Sequence, residues 1–336
     1  MLKVLAFSMI TVLLLSQSAM AAPIEIKVAH GSPATDDKLE EAAQAMKKYV
    51  EEKSGGALKM VTYPAAQLGS ERENLEGLQL GTIEMAILST GPVPGIFPEI
   101  MLIDLPYVIP TKEVAYRVFD GPIGQKLAER MLKKTGIHLL AYGENGFRAW
   151  SAKKNLITPD DFKGTKLRVM ENPIYIEMTN LLGAMPVALP SGDVYTALAQ
   201  GVVDGADQTV SAQISMRYYE VQSHMNLDNH VFNPHIVFTS DNFMSSLSPE
   251  HQQILRDGAV VFRDEERRIN ARQTQEGLVL VRERGIIVNE LTPEQIGVLR
   301  EKTATIIDSL RKRIGSEIVD QYLAEVDKVK AELGVK

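Results

Sequence analysis

Just past position 22, the apolar residues Ile24, Ile26 and Val28 alternate with Glu25 and Lys27, the period of two that marks a half-buried strand. Over positions 37–53 the period lengthens. Leu39, Ala42, Ala43, Met46 and Val50 fall on one helical face, and Gly55-Gly56 stops it. Leu58–Tyr63 returns to alternation, Ser70 is placed to cap a helix reaching Leu80, and positions 83–88 are again strand-like. Strand, helix, strand, helix, strand predicts an α/β lobe with a mainly parallel sheet.

Gly91-Pro92-Val93-Pro94-Gly95 interrupts that rhythm. The pattern then predicts a helix from Thr111 to about Lys134 and a strand over Ile137–Tyr142, leading into the turn Gly143-Glu144-Asn145-Gly146-Phe147-Arg148. A second α/β run begins at Trp150. Thr158-Pro159 and Asn172-Pro173 are helix starts with proline at the first position, and the short strand Lys166–Val169 lies between them. Ser191 is placed to cap the next helix, positions 202–208 are strand-like, and Ile236–Ser240 suits a return to the first sheet. Ser248-Pro249-Glu250 opens a helical pattern reaching about Arg284. Its ends, 254–262 and 278–281, are apolar and its middle, 263–268, is charged all round, which suits an element bridging two lobes through solvent. Two helices broken near 273–277 fit nearly as well. Positions 293–333 read as amphipathic helix.

Size and composition narrow the classes. At 336 residues the chain exceeds what one core ordinarily organises, so two lobes are expected. A hydrophobic fraction of 45% and a charged fraction of 24% exclude collagen-like, disordered and polytopic membrane classes. Lys and Arg number 36 against 43 Asp and Glu, a net charge of −7, so no global positive field exists to hold nucleic acid. The absence of cysteine removes disulfides, thiolate metal sites, Fe–S clusters and cysteine nucleophiles together.

Positions 1–22 carry one cation, Lys3, an apolar run over 4–15 and then Ala19-Met20-Ala21, the form of a secretory signal cleaved after about Ala21. The run is shorter than the roughly 20 residues a permanent span needs, and without cysteine no lipid can be attached at the junction. A free, exported protein of a Gram-negative periplasm is expected. No later segment has the uninterrupted apolar length of a span.

Catalytic signatures are missing: there is no phosphate-binding P-loop, dinucleotide fingerprint, nucleophile elbow or HExxH zinc motif. No cofactor or metal is expected. His224, His230 and His235 are close in sequence, but their spacings fit no ligand set, and loop or buried structural roles are favoured. Two arginines carry more. Arg168 ends the strand before Asn172-Pro173, and Arg148 follows the glycine-rich turn at the junction of the lobes. A guanidinium offers a planar fork matched to a carboxylate and does not deprotonate. Ser191, at a helix start, adds a nearby anion-favouring position. By themselves such arginines are more often surface ion pairs.

The order of motifs shifts that balance. Tyr63-Pro64-Ala65-Ala66-Gln67-Leu68-Gly69 with Glu71, Gly146-Phe147-Arg148, Asp160-Asp161-Phe162-Lys163-Gly164-x-Lys166-Leu167-Arg168-Val169, and Val194-Tyr195-x-Ala197-Leu198-x-x-Gly201-Val202-Val203-Asp204-Gly205 follow one another at fitting intervals. In this the chain resembles the solute-binding proteins of tripartite ATP-independent periplasmic (TRAP) transporters, C4-dicarboxylate-binding branch, from Ile24 almost to its end. The resemblance implies two α/β lobes of the periplasmic-binding-protein kind, joined by a hinge and a long bridging helix at about 249–284. Lobe I would hold 24–145 and 234–273, and lobe II 146–233 and 274–333. They would close over one small organic acid and deliver it to the small and large membrane subunits of an ion-driven permease. The soluble component is expected to be a monomer and not an enzyme.

On this resemblance Arg168 would pair with the ligand carboxylate and Arg148 would line the pocket. Gln208 stands where an asparagine is usual, and Ser191 where an aromatic ring is common. The lost ring should widen the pocket and disfavour a compact dicarboxylate, leaving sugar acids, keto acids or bulkier aromatic acids, with a slight tilt to the bulkier ones. First-lobe contacts are expected from the loop 35–38, including Lys38, from Glu71 and from Ser89. Apolar contacts are expected from Phe147, Trp150 and Met170. The same pocket would serve a sensing subunit of a membrane receptor, and an exported hydrolase or lyase is the remote alternative.

Overall fold

The computed structural model describes residues 22–335, so the expected signal segment 1–21 lies outside the described residues. The opening rhythm is as the pattern predicts: β1 (Ile24–Ala29), α1 (Lys38–Lys53), β2 (Leu58–Tyr63), α2 (Glu71–Leu80) and β3 (Met85–Leu88). Two short 3-10 turns follow, then α3 (Lys112–Phe119), α4 (Pro122–Thr135) and β4 (Ile137–Tyr142). The second run is β5 (Gly146–Ala152), α5 (Pro159–Phe162), β6 (Lys166–Val169), α6 (Pro173–Leu181), β7 (Met185–Ala188) and α7 (Val194–Ala199). It continues with β8 (Gly205–Thr209), α8 (Val210–Ser215), β9 (His224–Leu227) and β10 (Phe232–Asn233). The chain ends in β11 (Ile236–Ser240), α9 (Asp241–Ser246), α10 (Pro249–Glu283), β12 (Ile287–Glu290), α11 (Pro293–Thr303), α12 (Ile306–Ile314) and α13 (Ser316–Leu333).

Local chemistry sets these boundaries. Asp37 accepts from the Leu39 N–H to start α1, Ser70 and Glu73 form a reciprocal capping box on α2, and Asn172 accepts from the Ile174 N–H to start α6. The single helix expected from Thr111 is two. Gly121-Pro122 follows Asp120, and proline, lacking an N–H, begins a helix rather than continuing one. The expected C-terminal helix likewise divides, into α11, α12 and α13, with Gly315 at φ 96 between the last two.

Five strands form the first sheet in the order β2-β1-β3-β11-β4. β1 runs parallel to both neighbours, and β11 returns from the far lobe to lie antiparallel between β3 and β4. The second sheet has the order β12-β9-β5-β8-β6-β7, with β10 added on β5. The chain crosses between sheets at 143–145 and again at 234–235, and the two crossings are tied by the Gly143 N–H donating to the His235 carbonyl at 2.7 Å.

The third link is α10, a continuous helix of 35 residues with no break at 273–277. A Cβ on Gly258 would stand 2.6 Å from Val50 of α1, and one on Gly277 would stand 2.4 Å from Ile214 of α8. One end of the helix therefore rests on each lobe. The C-terminal helices were expected with the second lobe, yet they are shared. α11 and α12 pack on α6, whereas α13 lies along α3 and α4, where Lys126 reaches Gln321 at 2.6 Å and Arg117 reaches Glu332 at 2.6 Å. A buried apolar cluster follows this course from Phe119 and Phe238 to Phe162, Tyr175 and Tyr322. No helix among the described residues is long and apolar enough to cross a membrane.

Candidate functional site

Strand ends and helix starts of both sheets converge on one cavity, about 450 Å³ including its open mouth. The first lobe supplies Ser32 from the loop after β1, Leu39 of α1, Glu71 at the first position of α2, and Ser89 directly after β3. The second supplies Arg148 of β5, Arg168 and Met170 at the end of β6, Ser191, and Gln208 of β8. Asn145 and His235 enter from the two crossings. The lobes touch around it: Ser89 Oγ lies 3.6 Å from Met170 Sδ, Lys38 Nζ donates to Ser211 Oγ at 2.9 Å, and Ser215 Oγ donates to Asp37 at 2.9 Å.

Arg168 is 2% exposed. Its Nε and Nη2 donate to the Leu189 carbonyl at 2.9 and 2.7 Å, and Nη1 donates to the Asp207 carbonyl at 3.2 Å. These bonds use three of the five N–H groups of a guanidinium, leaving one on each terminal nitrogen. Every acceptor is a neutral carbonyl, and among the described residues no carboxylate lies within 4.0 Å. Burial pulls the Arg168 pKa down, and the neighbouring Arg148 charge acts in the same direction. The side chain is thus held rigidly, stays charged as arginine does, and has no protein carboxylate in contact with its charge.

Arg148 faces the same cavity in a different state. Its Nε and Nη2 grip Asp207 at 2.7 and 3.0 Å, and its guanidinium lies 5.0 Å from the Tyr175 ring centre. Asp207 also meets His230 Nε2 at 2.9 Å, and His230 Nδ1 meets Asp228 at 2.9 Å. Asp228 is further hydrogen-bonded by Tyr107 at 2.9 Å and by the Trp150 indole at 3.2 Å. Burial by itself would raise the Asp207 carboxyl, but Arg148 and His230 outweigh it and hold it at about 2. Burial would lower His230, but Asp228 and Asp207 raise it to about 9. The imidazole therefore donates from both nitrogens, and Arg148, His230, Asp207 and Asp228 form a buried set with no net charge.

The structure sorts the residues singled out in the sequence. Arg168, Arg148, Gln208, Ser191, Met170, Glu71 and Ser89 line the cavity together. Lys38, Trp150 and Phe147 do not. Lys38 is buried, and its ammonium bridges to Ser211 in the other lobe. Trp150 shares a strand face with Arg148 but sits one step deeper, fully buried, stacked 4.9 Å from His230 and edge-on to Phe162. Phe147 points to the opposite face of β5, against Phe232 at 5.3 Å. Ser191 caps no helix with its side chain. Its hydroxyl lies 3.4 Å from Gln208 Nε2, while Gln208 Oε1 accepts from the Thr209 N–H at 2.9 Å.

The three histidines have separate partners: His224 beside Ser223, His230 between two aspartates, and His235 on Glu266 at 2.5 Å. No cluster among the described residues has the makings of a metal site. Sequence reasoning missed Asp207 and the lining positions of Asn145 and His235. The available signals were one acidic residue in an otherwise uncharged strand, 205–209, and the placement of the other two on the chain crossings.

Residues 28–313 match the family model of bacterial extracellular solute-binding proteins, family 7 (DctP). A solute-binding protein of Verminephrobacter eiseniae is 36% identical over 272 residues, 81% of this chain and 76% of that protein. The C4-dicarboxylate-binding periplasmic protein DctP of Rhodobacter capsulatus is 31% identical over 311 residues, 91% of this chain and 92% of its own. Among solved structures, the sugar acid binding protein of Advenella mimigardefordensis in complex with galactonate superposes with a TM-score of 0.88 at 30% identity, covering 91% of this chain and 99% of that one.

Proposed function

This chain belongs to the family 7 (DctP) solute-binding proteins, and on that premise we propose that it captures one organic acid by its carboxylate on Arg168. The family binds small carboxylates for TRAP transporters. The observation that carries the assignment is the state of Arg168: immobilised by main-chain carbonyls, buried, and left with a two-pronged donor edge and no protein anion. A carboxylate is the chemical complement of that edge. Arg148, whose charge Asp207 already balances, borders the ligand without anchoring it.

Lobe closure supplies the affinity. In open solvent an ion pair contributes roughly 0–1 kcal/mol, whereas micromolar binding needs about 8 kcal/mol. The difference comes from shielding the pair, adding hydrogen bonds to Glu71 as acceptor and with Ser89, Ser191 and Gln208, and burying apolar surface on Met170 and Leu39. In this reading the loaded protein, a periplasmic monomer, hands its ligand to the small and large membrane subunits of an ion-driven permease. It binds without turnover.

Titration calorimetry with acids found by a thermal-shift screen tests the anchor. Arg168→Ala should weaken binding by at least about 30-fold, since truncating one partner of a buried charge pair costs on the order of 2–5 kcal/mol. Arg168→Lys should also bind poorly, because a point charge does not reproduce the fork. Unchanged affinity in both variants would overturn the proposal.

A further inference from the structure

Across the cavity from the guanidinium, the first lobe places an anion with no cation in contact with it. Glu71 opens α2 directly after the capping Ser70, where free N–H groups stabilise negative charge. Its carboxylate accepts from the Ser89 N–H at 2.7 Å and from the Ser89 hydroxyl at 2.6 Å. Those are neutral donors, and among the described residues no cation lies within 4.0 Å of it. Glu71 and Arg168 line both this cavity and a smaller adjoining one. Once Arg148 and His230 are balanced by Asp207 and Asp228, and His235 is turned onto Glu266, the walls retain one unpaired positive group and one unpaired negative group.

We propose that Glu71 sets the ligand class: a monocarboxylate carrying hydroxyl groups along its chain, with dicarboxylates excluded. This rests on Arg168 taking the single carboxylate. A second carboxylate would then stand in the shielded space with Glu71, with no cation left to serve it, and like charges so placed reject a partner. Ligand hydroxyls instead give Glu71 the protons it lacks, and Ser191, Gln208 and Asn145 are neutral groups suited to the remaining ones. An α-amino acid fits less well, because its ammonium is attached beside its carboxylate, next to the guanidinium. The lining also contains no Phe, Tyr or Trp ring, and its one imidazole, His235, is turned onto Glu266, so a planar aromatic acid finds no broad aromatic face to stack on. That removes the tilt toward bulky aromatic acids which the serine at 191 suggested.

Calorimetry of the wild-type chain, Glu71→Gln and Arg168→Ala with D-galactonate, succinate and L-glutamate tests this. Glutamine keeps an oxygen for the Ser89 N–H, and thermal midpoints report that each variant is folded. Wild type should prefer galactonate over succinate by at least about 100-fold, the scale expected when buried polar groups lose their hydroxyl partners. Glu71→Gln should weaken galactonate at least about tenfold and tighten succinate, shrinking the ratio. Succinate or glutamate bound as well as galactonate by wild type, or a ratio unchanged by Glu71→Gln, overturns the inference. If Arg168→Ala abolishes binding while the ratio fails to move, only the role of Glu71 falls. If Arg168→Ala still binds, the anchoring itself falls.

Discussion

Arg148 and Arg168 are both fully enclosed guanidiniums on one wall of one cavity, and what distinguishes them is the chemistry of their acceptors. Carboxylate acceptors neutralise the first, and carbonyl acceptors position the second without a carboxylate in contact with its charge. The resemblance separated a carboxylate-pairing Arg168 from a pocket-lining Arg148, but the physical cause was not legible in the sequence, because it depends on Asp207 and on a histidine held between two aspartates. The misplaced aromatics have a similar cause. Alternation in β5 puts Trp150 on the Arg148 face, but one pleat further from the strand end that opens on the cavity. The network has a pH signature. His230 is raised from 6.5 to about 9, so its contribution is complete below about pH 6.5 and is lost as pH rises through 9. Asp207 is depressed to about 2, so its contribution holds above about pH 4 and is lost as pH falls toward 2. Urea denaturation should therefore show stability falling by up to about 3 kcal/mol between pH 6.5 and about 10. His230→Gln should lower stability at neutral pH and flatten that slope; an equally steep slope in the variant would remove His230 as its source.

Most elements follow from period and caps, as β1 to β3 and the starts at Ser70, Asn172 and Ser248 show. What the pattern left open was continuity. The charged middle of α10 stays helical because two polar residues on its inner side are bonded to the crossing rather than exposed. Glu266 accepts from the Glu144 N–H at 2.7 Å, and Asn270 donates to the Glu144 side chain at 2.8 Å. The crossing approaches so closely that a Cβ on Gly143 would lie 2.1 Å from Glu266 Oε2 and 2.9 Å from the Phe262 ring. Both helix and crossing are fixed there. Gly143→Ala should force Glu266 off its backbone partner and destabilise the fold by about 1–3 kcal/mol in chemical denaturation. Gly95→Ala, where a Cβ meets nothing within 4 Å, should stay within about 0.5 kcal/mol. Equal stabilities of the two variants would show that the close approach is not a constraint.

Two sheets exchanging chain at paired crossings make a molecule whose halves can separate, so the balance between open and closed forms rests on contacts made only when they meet. Lys38 supplies an informative one. Its ammonium is buried between the lobes with Ser211 Oγ as its one hydrogen-bond acceptor among the described residues. Ser211 passes its own proton to Asn270 at 2.7 Å, and Asn270 is bonded to Glu144 of the crossing, which links first-lobe helix, second-lobe helix and hinge in series. With the lobes apart, water can solvate the ammonium; with them together, only the serine does. Ser211→Ala therefore penalises the closed form alone, by about 1–3 kcal/mol for an unsatisfied buried charged donor, and ligand affinity should drop about tenfold or more. Lys38→Met removes the group that needs an acceptor, so it should keep or tighten binding, as apolar replacements of buried charges often do. Calorimetry supplies the affinities, and small-angle scattering of the ligand-free variants reports the lobe separation. Opposite signs for the two substitutions identify a closure contact, whereas equal losses in both would mean that Lys38 acts on the ligand directly.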